Sequence, residues 1–271
     1  MERFAFAGRT CVLTGAAGGI GAALALELAR RHMVLALVDR DADGLQRVAS
    51  LARELGAREV TTYEIDLSDG ADRRDLAAEI AARHGGADLL INNAGVTLTG
   101  TFEENRLADV EWLLEINLHA VIRTTKAFLP QLLSRPGAHV VNVSSLFGLI
   151  APPGQVAYAT SKFAVRGFTE ALRNELAPRG VGVTVVHPGG VRTNIAVNAR
   201  NSRPEQAEEA RRFTETALRL PPEEAARQIV AAIQTRRPRL VITRAARAAD
   251  WLARLTPARY WSLIARQSSS R

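Results

Sequence analysis

Thr10-Cys11-Val12-Leu13-Thr14-Gly15-Ala16-Ala17-Gly18-Gly19-Ile20-Gly21 changes character halfway along. Its first five residues form a short apolar run that reads as a strand, and its last seven hold four glycines that lead into a helical stretch from Ala22 to Arg31. A glycine-rich turn between strand and helix lets backbone amides approach a pyrophosphate at the positive end of the helix. The segment reads as a dinucleotide cradle. Asp39 lies 18 residues beyond Gly21, after a second apolar run from Met33 to Val38. A carboxylate at that strand tip can accept hydrogen bonds from ribose hydroxyls.

Outward from this start, strand-like runs recur at Glu59 to Ile65, Ala87 to Ile91, Ala138 to Val143, Val181 to His187 and Arg239 to Ile242. Helical stretches near residues 42–55, 70–84, 104–134, 157–177 and 222–235 separate them. Such alternation builds βαβ units into a parallel sheet with helices on both faces. Right-handed crossovers make it doubly wound, with the ligand site at the carboxyl ends of the strands. The expected fold class is α/β, a Rossmann fold of about seven strands. The glycine cluster, Asp39, Asp66, Asn92 to Gly95, Ser145 and Pro188-Gly189 all fall at or just after such ends.

A second signal lies in Tyr158-Ala159-Thr160-Ser161-Lys162, with Ser145 thirteen positions upstream. Residues four apart share one helix face, so an ammonium sits beside a phenol and favours its ionised form. A free phenol titrates near about 10, and a neighbouring cation is expected to bring it toward the working range of a general base. This points to chemistry on an alcohol or ketone. Among 35 basic residues only Lys126 and Lys162 are lysines. A compact ammonium reaches two hydroxyls and a phenol at once, which a planar guanidinium does not.

Taken together, these motifs make the chain resemble a single-domain short-chain dehydrogenase/reductase over roughly residues 8–242. The pattern Thr14-Gly15-x-x-x-Gly19-x-Gly21 is similar to the family's cofactor motif, and Asn92-Asn93-Ala94-Gly95 to the segment after its fourth strand. The resemblance implies a catalytic set of Asn117, Ser145, Tyr158 and Lys162. Tyr158 would handle the proton on the substrate oxygen and Ser145 would hold that oxygen. Lys162 would bond the nicotinamide ribose and lower the phenol's pKa. Asn117 would shape a local distortion of its helix and hold a relay water. It further implies cofactor contacts from Gly15, Gly19, Ile20, Gly21, Asp39, Arg40, Asp66, Leu67, Asn93, Ala94, Gly95, Tyr158, Lys162, Pro188, Gly189, Val191 and Thr193. A helix cap before Ser68 is an almost equal reading of Asp66. Thirteen residues before Tyr158 selects Ser145 over Ser144, which reads as a strand-end hydroxyl.

The carboxylate of Asp39 repels a 2′-phosphate and favours NAD, whereas Arg40 beside it could receive one, so NADP is the alternative cofactor. Residues 146–153 after Ser145 are mainly apolar and are expected to line a pocket for an apolar alcohol or ketone: steroid, retinoid or long-chain acyl-derived. A lid is expected over residues 193–220. The same resemblance suggests a homodimer or homotetramer built through the helices bearing Asn117 and Tyr158. Rival readings are an NADP-dependent carbonyl reductase and a non-catalytic dinucleotide-binding protein associated with membrane.

Length and composition set outer bounds. A chain of 271 residues with 47% hydrophobic content fits one large α/β domain, here residues 1–244, followed by a basic amphipathic extension over 245–271. Residues 225–271 hold ten arginines and one acid, a balance of +9, so residues 1–224 carry −2 of the overall +7. Without interleaved aromatics or a recognition motif, nucleic acid is not an expected partner. Trp251, Tyr260 and Trp261 among the arginines allow peripheral membrane contact through residues 245–266. The single Cys11 excludes a disulfide framework, the five histidines show no metal spacing, and Met1-Glu2-Arg3-Phe4 does not open a signal peptide. The cytoplasm is the expected compartment.

Overall fold

The computed structural model describes residues 2–69, 73–201 and 218–269, and nine strands lie among these described residues. The strands are β1 (Thr10–Thr14), β2 (Val34–Asp39), β3 (Glu59–Glu64), β4 (Leu89–Asn92), β5 (Leu98–Thr99), β6 (His139–Val143), β7 (Gly182–His187), β8 (Arg200–Asn201) and β9 (Arg239–Val241). Seven of them form one sheet in the order β3-β2-β1-β4-β6-β7-β9, with every neighbouring pair parallel. The order reverses direction between β1 and β4, so the crevice for a ligand opens there.

The helices are α1 (Gly19–Ala29), α2 (Ala42–Glu54), α3 (Arg73–His84), α4 (Leu107–Leu114), α5 (Ala120–Ser134), α6 (Val156–Leu176), α7 (Pro222–Gln234), α8 (Arg244–Leu255) and α9 (Tyr260–Ser269). Strand residues alternate between two cores. Cys11 and Leu13 pack with Leu24, Leu28, Val48 and Ile229, whereas Val12 joins Ile80, Phe128, Leu132 and Leu172 on the other face. This explains the nearly unbroken apolar runs of β1 and β2, since a strand covered on both faces has no polar side to show. Each such side chain contributes about 1.5–3 kcal/mol by leaving water.

The local distortion expected at Asn117 is present, and one short strand pair was not expected. The helical stretch expected over 104–134 is broken into α4 and α5 by a π-helical turn, Glu115–His119, with Asn117 fully buried inside it. β5 and β8 form an extra parallel pair of two residues each, too short to show any periodicity. Of the lid expected over 193–220, residues 202–217 lie outside the described residues. The described residues near its two ends are joined by backbone bonds from Arg192 N to Leu220 O (2.8 Å) and from Leu220 N to Gly190 O (3.0 Å).

Candidate active site

The glycine turn is shaped by what touches it. Gly15 has φ 68°, and a Cβ there would lie 2.7 Å from Ala94 Cα. A Cβ on Gly21 would overlap the Gly15 carbonyl oxygen, so α1 starts tight against the turn. Thr14 fastens the neighbouring strand tip, because its hydroxyl accepts from Asn93 N (3.1 Å) and Ala94 N (3.2 Å). Asn93 Nδ2 returns bonds to the carbonyls of Thr14 and Gly15, both at 3.1 Å. Thr193 approaches from β7, its Cγ2 3.2 Å from where a Gly19 Cβ would stand.

The same residues fit a dinucleotide. α1 begins after Gly18 with no capping side chain among the described residues and no acid in its first turn, and a Cβ on Gly18 would meet nothing within 4 Å. An open, uncapped helix start of this kind favours an anionic group. The half-buried Asp39 carboxylate accepts from Ala17 N (2.9 Å) on one oxygen and from Arg40 N (2.8 Å) and Asp41 N (3.2 Å) on the other. It therefore braces the loop and keeps lone-pair capacity for a hydroxyl, while Arg40 is exposed. Asp66 accepts from Ser68 N at 2.8 Å within a turn, since α3 starts only at Arg73 and the bond is not a helix cap, and Leu67 lines a small pocket with Thr14, Asn92 and Ala94. Beyond β7, Pro188 O accepts from Leu146 N (2.8 Å), and Val191 bridges to Leu220.

On α6, Tyr158 and Lys162 are 9% and 3% exposed, with Lys162 Nζ 5.6 Å from the phenol ring centroid. The ammonium donates to Val143 O at 3.2 Å. Gly95 runs alongside, where a Cβ would stand 3.2 Å from Lys162 Nζ and 3.4 Å from Asn117 Oδ1. Ser145, just past β6, lies beside the phenol and lowers its pKa, while its hydroxyl accepts from Phe147 N at 3.1 Å. The Ser144 hydroxyl is turned away, donating to Lys162 O at 2.8 Å. Asn117 ties the site together: Oδ1 accepts from Val96 N (2.8 Å), and Nδ2 donates to Val96 O (2.9 Å) and Ser161 Oγ (3.1 Å). Both amide hydrogens are thereby engaged, so the side chain positions the segment after β4 against α6 and has only acceptor capacity left for a water.

Electrostatics correct the expectation drawn from spacing. Burial pushes the Tyr158 phenol up, and Ser145 offsets only part of the rise. Burial also pushes the Lys162 ammonium down to about 8. Desolvation of both groups thus outweighs the help that a cation one turn away gives to a phenolate.

Two further residues carry structural weight. In the sequence Thr14 stands only as part of the glycine pattern. His187 is fully buried at the end of β7 and bonds Ser145 O through Nδ1 at 3.0 Å. A carbonyl only accepts, so Nδ1 carries the hydrogen. Burial, the largest cause, pushes this imidazole down to about 4 and keeps it neutral.

The apolar run after Ser145 divides between two places. Phe147 meets the Tyr158 ring edge-on at 6.1 Å, within a cluster that includes Val96, Leu114 and Ile195. Ala151, Pro152 and Pro153 instead line a cavity of about 640 Å³ with Val156, Ala159, Phe163 and Trp261. By helical spacing that cavity lies on the side of α6 turned away from Tyr158. No metal-binding cluster of His, Cys, Asp or Glu exists among the described residues.

A doubly wound sheet with a glycine cradle at its switch point, facing a half-buried Ser145 and a buried Tyr-Lys pair, defines a dinucleotide-dependent oxidoreductase. Residues 9–204 match the family model for short chain dehydrogenase, and the chain belongs to the short-chain dehydrogenase/reductase family, whose members are NAD(P)-dependent oxidoreductases. The Mycobacterium tuberculosis protein named SadH is 42% identical over 266 residues, covering 96% of this chain and 95% of the relative. Estradiol 17-beta-dehydrogenase 11 of Pongo abelii is 32% identical over 271 residues, 99% of this chain and 86% of its own. A short chain dehydrogenase/reductase from Burkholderia phymatum, solved in complex with NAD, superposes with TM-score 0.85 at 32% identity, covering 93% of this chain and 95% of that one.

Proposed function

We propose that the enzyme interconverts an apolar secondary alcohol and its ketone with NAD, with Tyr158 as the general acid and base. The carrying observation is the buried Tyr158–Lys162 pair, one helical turn apart beside Ser145 and within reach of Gly95. A nicotinamide held by the glycine turn and Lys162 would supply the acceptor or donor of the carbinol carbon's hydride. Ser145 holds the substrate oxygen through its hydroxyl, and His187 fixes the Ser145 backbone. In reduction the neutral phenol of Tyr158 gives its proton to the ketone oxygen; in oxidation the deprotonated phenol takes it back from the alcohol. The raised phenol pKa favours the first direction at neutral pH, and oxidation gains as pH rises.

NAD is preferred because Asp39 puts a negative charge where a 2′-phosphate would sit, and the Burkholderia phymatum relative is seen with NAD. An apolar ligand is supported by Phe147, Val96, Leu114 and Ile195 around Tyr158, and a relative named for estradiol points to the steroid class. We also place a homo-oligomer contact on α5 and α6, where Ile122, Val156 and Phe163 are exposed.

The test is turnover of secondary alcohols and ketones, read by nicotinamide absorbance. Tyr158→Phe should cut kcat by about 10²–10⁴-fold while leaving NAD binding in place; intact turnover refutes the assignment. Asp39→Ala should weaken NAD and strengthen NADP binding, and an unchanged NADP affinity contradicts the cofactor reading.

A further inference from the structure

α8 turns Asp250 inward and leaves the apolar side at the surface. Helical spacing puts Arg247, Asp250 and Arg254 on one side and Trp251, Leu252 and Leu255 on the other, and a surface helix ordinarily buries the apolar side. Here the buried positions are Ala246 and Asp250, while Trp251 and Leu255 are 64% and 75% exposed. Asp250 holds this orientation by accepting from Arg239 Nη2 (2.7 Å) and Arg254 Nε (3.2 Å). Ala246 packs so close to the β7 loop that a Cβ on Gly189 would lie 2.8 Å from its methyl. α9 is tied down separately by Ala151 N donating to the Tyr260 hydroxyl at 2.9 Å, and it exposes Leu263.

The charge around this stripe has one sign. Arg244, Arg247, Arg254 and Arg259 are exposed, and the only acid from residue 225 to 271, Asp250, is buried and doubly paired. An apolar stripe with an indole, flanked by arginines, matches the boundary between acyl chains and anionic headgroups. No helix among the described residues is long and apolar enough to cross a membrane, so the contact is superficial. A second copy fits less well, because a two-fold contact would set the same arginine-rich surface against itself.

We propose that the α8–α9 face docks the enzyme on an anionic lipid surface through Trp251 and Leu255, with the surrounding arginines binding headgroup phosphates. The full chain is sedimented with vesicles of phosphatidylcholine alone and with vesicles containing phosphatidylserine, at low and high salt. It should pellet with the anionic vesicles only, and less at high salt. Trp251→Ala with Leu255→Ala should abolish pelleting. Arg244→Gln with Arg247→Gln should weaken partitioning about thirtyfold. All four changes lie on the solvent side, so circular dichroism and oxidoreductase turnover should match wild type. Absence of wild-type pelleting, or equal pelleting by both variants, overturns the proposal. So does light scattering that shows a dimer dissociated by the Trp251/Leu255 pair without lipid binding.

Discussion

Lys162→Met should make the dinucleotide-free protein more stable while removing its activity. The ammonium is 3% exposed, and burial lowers its pKa from 10.5 to about 8. That difference corresponds to about 3 kcal/mol of folding free energy lost wherever both states are protonated. Below pH 8 the folded and unfolded chains carry the same charge and the cost is complete. Between about 8 and 10.5 the folded chain releases the proton first, so the unfolded state binds more protons and wild-type stability rises with pH. Methionine fills a similar volume without charge, and losing the bond to Val143 O returns about 1 kcal/mol. The net gain is about 2 kcal/mol below pH 8, or about 4 °C in Tm for a chain of this size. Thermal melts by circular dichroism at pH about 6.5, 8 and 9.5 read the effect, the advantage of Lys162→Met shrinking toward the highest pH. The range stops below 10, because Tyr158 is raised from its ordinary 10 and opposes the trend above it. If Lys162→Met melts below wild type at pH about 6.5, or if its advantage is constant with pH, the buried-ammonium reasoning is refuted.

Asn117→Ala removes three side-chain hydrogen bonds and strands both the N–H and the C=O of Val96. A loss of about 3 kcal/mol is expected in urea unfolding, with turnover falling more than NAD affinity. Cys11 is fully buried, and burial together with Asp88 pushes its thiol up. It should resist iodoacetamide in the native protein and react only on unfolding, as mass spectrometry of the alkylated chain would show.

Much of the architecture was legible in the residues. The apolar runs and glycine punctuation place the seven principal strands within a residue or two, and the motifs fall at their carboxyl ends as a doubly wound sheet requires. The positions of the candidate site were legible for the same reason, since a helix turn and a strand tip fix where a side chain starts. The energetics of the site were not. That Lys162 and Tyr158 both shift against their charged forms depends on how completely neighbours from β4, β6 and the Asn117 turn exclude water. Nor could spacing show that Asn117 engages both amide hydrogens, or that His187 holds Ser145.

The C-terminal segment marks the same boundary from the other side. Its alternation determines that α8 is amphipathic, because periodicity is a property of the chain itself. Which face turns inward was decided only by tertiary contacts: Arg239 arriving from β9 to meet Asp250, and Gly189 leaving room for Ala246. Local sequence sets the pattern along an element, whereas orientation, burial and hence charge state arise from partners distant in the chain.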